Sequence, residues 1–478
     1  MTFGEEPPAV SEEDWAKTPA SVQHLVLSLL KRIATLEAEV ASLKERLGLN
    51  SSNSSKPPSS DPPGTPPSAP PKGSPRKRGG QKGHPGHRRE RLPPTRVESC
   101  VPTTCAGCQA PLTGQDPEPA WHQVVELPAV VREVIEYQVH TLTCACCGQD
   151  TTGALPEGVS RKGFGPRLQA WVALLTGRYR LSKRLVEEML GEVFEIPMSL
   201  GAVVDCEQEV SAALAPAWQE AHAVAQAQPV ANVDETSWRE NKRRAWLWVM
   251  VTRLATVFLI HPRRSRLAAR ILLGDFDGVV GSDRYSAYDD LNALLRQLCW
   301  AHLTRDWQRM VDRGGASRTV GEDLQHLTRK LFRWWNHVAT GRRSRGWMQR
   351  KLPELQREFR AILQGALQIP HARTAATCAS LLEQFESLWT FVRVEGVEPT
   401  NNAAERAVRP AVQARKLSFG TDSAAGSRFV ERILTVVATL RQHGRSLLPF
   451  LTDTLRAFRA AAAPPSLLPQ TTIQIATP

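Results

Sequence analysis

The sequence predicts a multidomain protein of mixed α+β and α/β class. An N-terminal coiled coil, a paired-cysteine module and a helical unit precede a mixed central sheet with a helical insertion. Three observations predict it. Residues 21–49 carry a heptad, Cys105-x-x-Cys108 and Cys144-x-x-Cys147 repeat a metal-ligand spacing, and the apolar period changes at Gln228.

Size and charge set the frame. At roughly 100–200 residues per domain, 478 residues make several domains. An apolar share of 41% supports a sizeable core. No run of about 18 apolar residues exists; the longest candidate, Leu247 to Ile260, is interrupted by Arg253, so no membrane span is expected. The N-terminus lacks a basic segment ahead of an apolar one, so a cytoplasmic protein is expected. Lys and Arg number 60 against 48 Asp and Glu, a formal net charge of +12. From Lys72 to Arg96 the only acid is Glu90, which points to a polyanionic partner, most simply nucleic acid. A solubilising tail fits the charge alone as well.

The coil covers 20–49. Val22, Leu29, Leu36 and Leu43 fall on d positions, and Val26, Ile33, Val40 and Leu47 on a positions. Branched residues at a with Leu at d favour a two-stranded parallel coil, hence a homodimer. Arg32 would face Glu37 of the partner, and Glu39 would face Lys44. An amphipathic helix packed on its own domain is the alternative. Residues 50–98 read as a Ser/Pro linker with a basic arm, too poor in apolar surface to fold. In the arm, Arg76, Lys77, Arg78, Lys82, Arg88 and Arg89 alternate with glycines, which suits a flexible segment following a phosphate backbone or entering a minor groove.

Residues 99–160 form the cysteine module. Two Cys-x-x-Cys pairs, Cys105/Cys108 and Cys144/Cys147, suit a tetrahedral structural Zn²⁺. Between them Ile135, Tyr137 and Val139 alternate with Glu136, Gln138 and His140, as in a strand that could bring the pairs together. Cys100 and Cys146 are surplus. Residues 161–225 read as helices, including 182–194 and a third opened by a Ser199 cap. Two short helices and a tight turn fit a DNA-binding helix-turn-helix; a plain helical bundle fits the same pattern.

Residues 226–314 begin the sheet. Strands are expected at 229–236, 245–252 and 255–261, a helix at 265–273, a strand at 278–283 and another at 294–299 before a helix through His302 and Arg305. The order of three strands, helix, strand, helix, strand suits a mixed sheet with helices on it. Asp234 lies late in the first strand and Asp283 at the end of the fourth. If these strands are parallel neighbours, both carboxylates emerge on one side, where a hard divalent cation would find oxygen ligands. Glu405 is the candidate third acid. The Asn401-Asn402 pair makes a good helix start, with Glu405 in the first turn and Arg406, Arg409, Arg415 and Lys416 following as a phosphate-facing surface. Residues 315–392 read as a helical insertion, 393–460 as the last part of the core and 461–478 as a disordered tail.

These segments resemble the IS66-type insertion-sequence transposases, DDE enzymes with a ribonuclease-H-like core. The resemblance rests on the stretch from Asn50 to Asp61, the Gly-Gly-Gln-Lys-Gly-His-Pro-Gly-His arm at 79–87 and the paired Cys. It also rests on Val233-Asp234-Glu235-Thr236, Ser282-Asp283-Arg284-Tyr285, Cys299-Trp300-Ala301-His302 and Asn401-Asn402-Ala403-Ala404-Glu405-Arg406. It implies that Asp234, Asp283 and Glu405 hold two Mg²⁺ ions, with Mn²⁺ as a substitute. Their chemistry would be phosphodiester cleavage at the terminal repeats of the element and transfer of the freed 3′-hydroxyl into target DNA. It also implies a nucleoid-associated protein with small accessory partners. His302 either sits near the metals or caps a helix against the sheet, the second being favoured. Where the family commonly has two adjacent basic residues, Arg305 stands alone. The rival readings are a non-catalytic transposase-derived regulator and a sequence-tolerant nuclease.

Overall fold

A computed structural model of the chain describes residues 11–54, 61 and 90–469. The basic arm from Arg76 to Arg89 lies outside the described residues. The chain divides into two compact units. One comprises residues 66–137 and 189–197, the other the remainder. Among the described residues no helix is long and apolar enough to cross a membrane.

In the smaller unit, residues 90–137 bury no apolar side chain among those described. The order that exists is polar. The Gln123 amide brackets the Leu92 backbone, donating to its carbonyl at 2.7 Å. A single bridge, Thr104 to Pro111, closes a tight turn around Cys105 and Cys108.

The larger unit begins with helix α1 (Glu12–Lys17) and the long α2 (Ala20–Leu47). The heptad stripe of α2, including Leu29, Ile33, Leu36, Val40 and Leu43, is exposed. Here the structure departs from the expected linker. Asn50–Ser54 folds into a compact turn with Asn53 and Ser54 buried. Asp61 accepts from the Ser51 backbone N–H at 2.7 Å. Short side chains bonded to nearby backbone groups replace the apolar surface that the composition lacks.

A hairpin, β1 (Thr141–Thr143) and β2 (Asp150–Thr152), flanks Cys144–Cys147. The strand expected at 135–140 is absent, and its alternating residues are exposed on both sides. With no face to bury, the alternation has nothing to drive pairing. Four helices follow, α3 (Pro166–Gly177), α4 (Lys183–Phe194), α5 (Leu200–Ala213) and α6 (Ala215–Gln226), of which α4 passes at Met189 into the smaller unit. Ser199 caps α5 by accepting from the Ala202 N–H.

The sheet is mixed. Its strands are β3 (Val230–Glu240), β4 (Arg243–Val251), β5 (Thr256–His261), β6 (Val279–Ser282) and β7 (Arg296–Leu298), in the order β5-β4-β3-β6-β7. The first three pair antiparallel, while β3–β6 and β6–β7 are parallel. Helix α7 (Arg266–Leu273) joins β5 to β6. Between β6 and β7 the expected helix is replaced by two 3-10 turns, Ser286–Tyr288 and Ala293–Leu295.

Helix α8 (Trp300–Arg313) leads into the insertion, formed by α9 (Gly315–Ala339), α10 (Arg345–Gly365), α11 (Ala372–Glu383) and α12 (Thr390–Arg393). Trp300, Trp307, Phe359 and Trp389 form its centre. The chain returns through α13 (Asn402–Ser418), α14 (Ala424–Gln442) and α15 (Leu447–Arg459). Ala404, Val408 and Ala411 of α13 pack on Leu247 and Val249 of β4. The expected disordered tail also differs, because Leu467 and Leu468 are buried and the Arg445 guanidinium donates to the Leu467 carbonyl.

Candidate active site

The site grows from the parallel pairing of β3 and β6. Their register sets Val230 beside Val279, Ala231 beside Val280 and Asn232 beside Gly281. The pairing ends there; Asp234 follows Asn232 by two residues and Asp283 follows Gly281 by two, and the Asp283 carboxylate is near enough to raise that of Asp234. Neighbouring strands lie about 4.8 Å apart, so the two carboxylates leave the sheet near one another. Asp283 begins the loop after β6, and its Oδ1 accepts from the Tyr285 N–H at 2.9 Å. Arg296 of β7, itself buried, donates to the Asp283 carbonyl at 2.9 Å and so fixes the backbone there.

Glu405 approaches from α13, near enough to raise the Asp234 carboxyl, but among the described residues the group of three whose ligand atoms gather within 4.8 Å is Cys299, His302 and Glu405, not the three acids. The segment before that helix is sewn into the sheet. The Asn401 Nδ2 donates to the Val233 carbonyl at 2.6 Å, and its backbone N–H donates to the Cys299 Sγ at 3.2 Å. The Trp300 backbone N–H donates to the Pro399 carbonyl at 3.0 Å. The helix starts at the Asn401-Asn402 pair as expected. Asn401 makes no side-chain cap and spends its amide on β3. Glu405 sits in the first turn as expected.

The electrostatics report this gathering. Burial raises the Asp234 carboxyl well above its usual range, and the nearby Glu235, Asp283 and Glu405 carboxylates push it further the same way. His302 lies with Nδ1 3.6 Å from Glu405 Oε1, and Arg305 Nη1 lies 3.8 Å from the same oxygen. Burial lowers the His302 ring below its usual range, although Asp283 and Glu405 pull the other way. The favoured reading of His302 as a helix cap is therefore corrected: α8 has no side-chain cap, and the ring faces the acids. The buried atoms His302 Nδ1 and Glu405 Oε1 make no hydrogen bond.

Three supporting residues are given no role by the sequence reading, although Glu235 and Tyr288 belong to the two acidic motifs, the second of which runs from Ser282 to Tyr288. Glu235, on the opposite face of β3 from Asp234, accepts from the Tyr288 hydroxyl at 2.7 Å and from Arg264 Nε at 2.8 Å. Burial raises its carboxyl, as does Asp283, while Arg264 opposes them. Arg264 in turn stacks over Tyr285, 3.6 Å from the ring centroid. An acid directly after a candidate ligand carries no separate signal, and Arg264 and Tyr288 are distant in sequence.

The cations expected on α13 divide into two kinds. Arg406, Arg409 and Lys416 are exposed. Arg415 is half-buried and donates to the Ser237 carbonyl at 2.7 Å, so it braces β3, which differs from the expected phosphate contact. It also lines a cleft of about 730 Å³ with Arg239, Lys242, Arg244 and Lys416.

The cysteine pairs form the same turn twice. The Gln109 N–H donates to the Cys105 carbonyl and the Cys105 N–H to the Ala110 carbonyl; Gly148, Cys144 and Gln149 repeat both bonds. Gln109 and Gly148 both adopt positive φ, 62° and 69°. Backbone N–H groups of Cys108 and Gly107 lower the Cys105 thiol, and those of Cys147 and Cys146 lower Cys144.

A family model described as "Transposase IS66 family" matches residues 161–428, and one described as "Family of unknown function (DUF6444)" matches 5–90. The chain is 28% identical over 213 residues to "Uncharacterized protein y4qI" of Sinorhizobium fredii. That match covers 40% of this chain and 38% of the relative, so the chain spans well under half of the relative's length.

Proposed function

Because this chain belongs to the IS66 transposase family, whose model spans more than half of it, we propose that it is a metal-dependent DNA transposase with a ribonuclease-H-like core. It would cut phosphodiester bonds at the ends of its element and join the freed 3′-hydroxyl to target DNA. The observation that carries the reading is the crowding around Asp234. Burial and the carboxylates at Glu235, at the end of β6 and on α13 raise the proton affinity of Asp234, and one buried oxygen of Glu405 makes no hydrogen bond. Several carboxylates crowded at one buried place fit hard divalent cations.

Asp234, Asp283 and Glu405 would hold two Mg²⁺, for which Mn²⁺ could substitute. When bound, these ions supply the charge that activates an attacking water and stabilises the leaving 3′ oxygen. The chain's own residues do the rest. Asn401 and Arg296 fix the backbones that carry the acids. The Glu235–Arg264–Tyr288 network stiffens the strand behind them. Arg406 and Arg409, exposed one and four residues beyond Glu405, would position phosphates. Arg88, Arg89 and the other arm cations would follow the DNA backbone, and the helices of 161–225 would read the element ends. Each cysteine pair offers two thiols in a turn whose N–H groups favour thiolates, which suits structural Zn²⁺. The exposed heptad of α2 supports pairing of two copies.

The test is a cleavage assay with Mg²⁺ on end-containing and random DNA. Cutting confined to end-containing DNA is the expected result. Equal cutting of both would make the protein a sequence-tolerant nuclease. Binding of the ends with no cutting would make it a DNA-binding regulator.

A further inference from the structure

Behind the acids lies a second set of ligand atoms. Cys299 Sγ, one ring nitrogen of His302 and one Glu405 carboxylate oxygen all lie within 4.8 Å of one another. Cys299 ends the segment after β7, His302 sits three residues on in the first turn of α8, and Glu405 comes from α13. The spacing is built by the fold. The Asn401 N–H donates to Cys299 Sγ, which holds the thiol against the start of the Glu405 helix. His302 Nδ1 and Glu405 Oε1 are both buried without a hydrogen-bond partner.

Soft and hard cations want different neighbours. Mg²⁺ takes oxygen ligands and keeps its waters. Zn²⁺ takes thiolate sulfur, imidazole nitrogen and carboxylate oxygen with short bonds, so that tetrahedral ligand atoms lie roughly 3.3–3.7 Å apart. The His302–Glu405 separation of 3.6 Å already matches. One thiolate, one carboxylate and one neutral imidazole would also cancel the charge of a divalent ion in a buried position. Binding would release the Cys299 proton to solvent and displace Arg305 from Glu405.

We propose that Cys299, His302 and Glu405 form a Zn²⁺-selective inhibitory site that draws Glu405 away from Asp234 and Asp283. Its inhibitory consequence rests on the proposed Mg²⁺ chemistry; its existence as a metal site does not.

The experiment therefore has two readouts on the full-length protein. The first is the stoichiometry and affinity of Zn²⁺ measured against a chromophoric chelator, for the wild type, Cys299→Ser and His302→Gln. The paired cysteines are intact in all three, so their Zn²⁺ cancels. Wild type should bind one equivalent more than either variant, or bind that equivalent at least roughly 100-fold more tightly, since even outer-sphere losses at metal sites cost 10–100-fold. The second readout is Mg²⁺-supported cleavage under rising Zn²⁺, each protein normalised to its own zinc-free rate. Wild type should lose activity at Zn²⁺ concentrations at least tenfold below those that inhibit Cys299→Ser. Far-UV circular dichroism checks that each variant is folded, and His302→Gln stands in if Cys299→Ser is not. Equal stoichiometry and affinity in the wild type and a folded variant would overturn the site. A lost equivalent without any change in inhibition would overturn the inhibitory role. Failure of Mg²⁺ cleavage in every protein would instead count against the transposase chemistry and leave the metal count to decide the site.

Discussion

The Asn401 side-chain amide donates to the Val233 carbonyl at 2.6 Å, and these residues are 168 positions apart in the chain. Val233 immediately precedes Asp234, and Asn401 lies one helical turn before Glu405. A single bond therefore ties the third acid to the first across the whole helical insertion. The insertion can be large because its two ends are fixed beside this bond, where the Trp300 N–H donates to the Pro399 carbonyl and the Asn401 N–H to Cys299 Sγ.

Asn401→Ala should separate placement from folding. It leaves a buried carbonyl without its donor, which costs about 1–3 kcal/mol. Melting should fall by a few degrees, while cleavage measured well below that temperature should drop at least tenfold. Wild-type cleavage by the folded variant would show that Glu405 needs no such tether.

Asp283→Asn should abolish cleavage and leave DNA affinity and melting temperature unchanged. The amide loses a negative ligand but keeps the acceptor for the Tyr285 N–H. Paired cleavage and electrophoretic binding assays check it, and a variant that retains half its cleavage would sink the assignment.

The basic arm has a thermodynamic signature. Joint replacement of Arg76, Lys77, Arg78 and Lys82 by Ser should flatten the log–log salt dependence of DNA binding by up to roughly 3–4, about 0.9 for each phosphate no longer neutralised. An unchanged slope would remove these four from the interface.

Pairing through α2 predicts that Leu36→Lys with Leu43→Lys yields a monomer by sedimentation. Both side chains are exposed on the apolar stripe. If the double variant sediments like the wild type, the heptad packs on something other than a second copy.

Glu431 gives a pH signature of folding. Burial pushes its carboxyl up to about 7, against the opposing pull of Arg428. A folded-state value above the unfolded one means that stability is full below about 4.5, the ordinary value, and is lost as pH rises through 7. Glu431→Gln should therefore gain on the wild type between pH 5 and pH 8.5, by up to about 3 kcal/mol. Thermal melts across that range test it, and parallel melting curves would contradict it.

The sheet was legible because its apolar strands are local patterns; the three acids are singled out by the motifs of the resemblance, since an Asp at a strand end alone is usually a solvated turn residue. Asp283 directly follows β6 and Glu405 sits in the first turn of α13, whereas Asp234 stands in the middle of β3, which runs on to Glu240, beyond the expected end at 236. What escaped was long-range. Asn401 reads as a helix start, and only the folded sheet reveals the Val233 carbonyl. His302 reads as ordinary because its partner, Glu405, is 103 residues away. The turn at Asn50–Ser54 reads as disordered because composition counts apolar area, while this turn is held by polar bonds. Asn53 reaches Asp312 at 2.8 Å, and Arg309 reaches the Asn53 carbonyl.

Those last two contacts give α8 two occupied ends. His302 and Arg305 approach Glu405 in its opening turns, and Arg309, Asp312 and Arg313 hold the Asn53 turn and Glu45 of α2 in its closing turns. Its 14 residues make a rod about 21 Å long. Inserting one residue would swing one end about 100° against the other and break one set of contacts to keep the other. Length drift is thus tolerable in the Ser/Pro stretch and intolerable in α8, which acts as a ruler between the two.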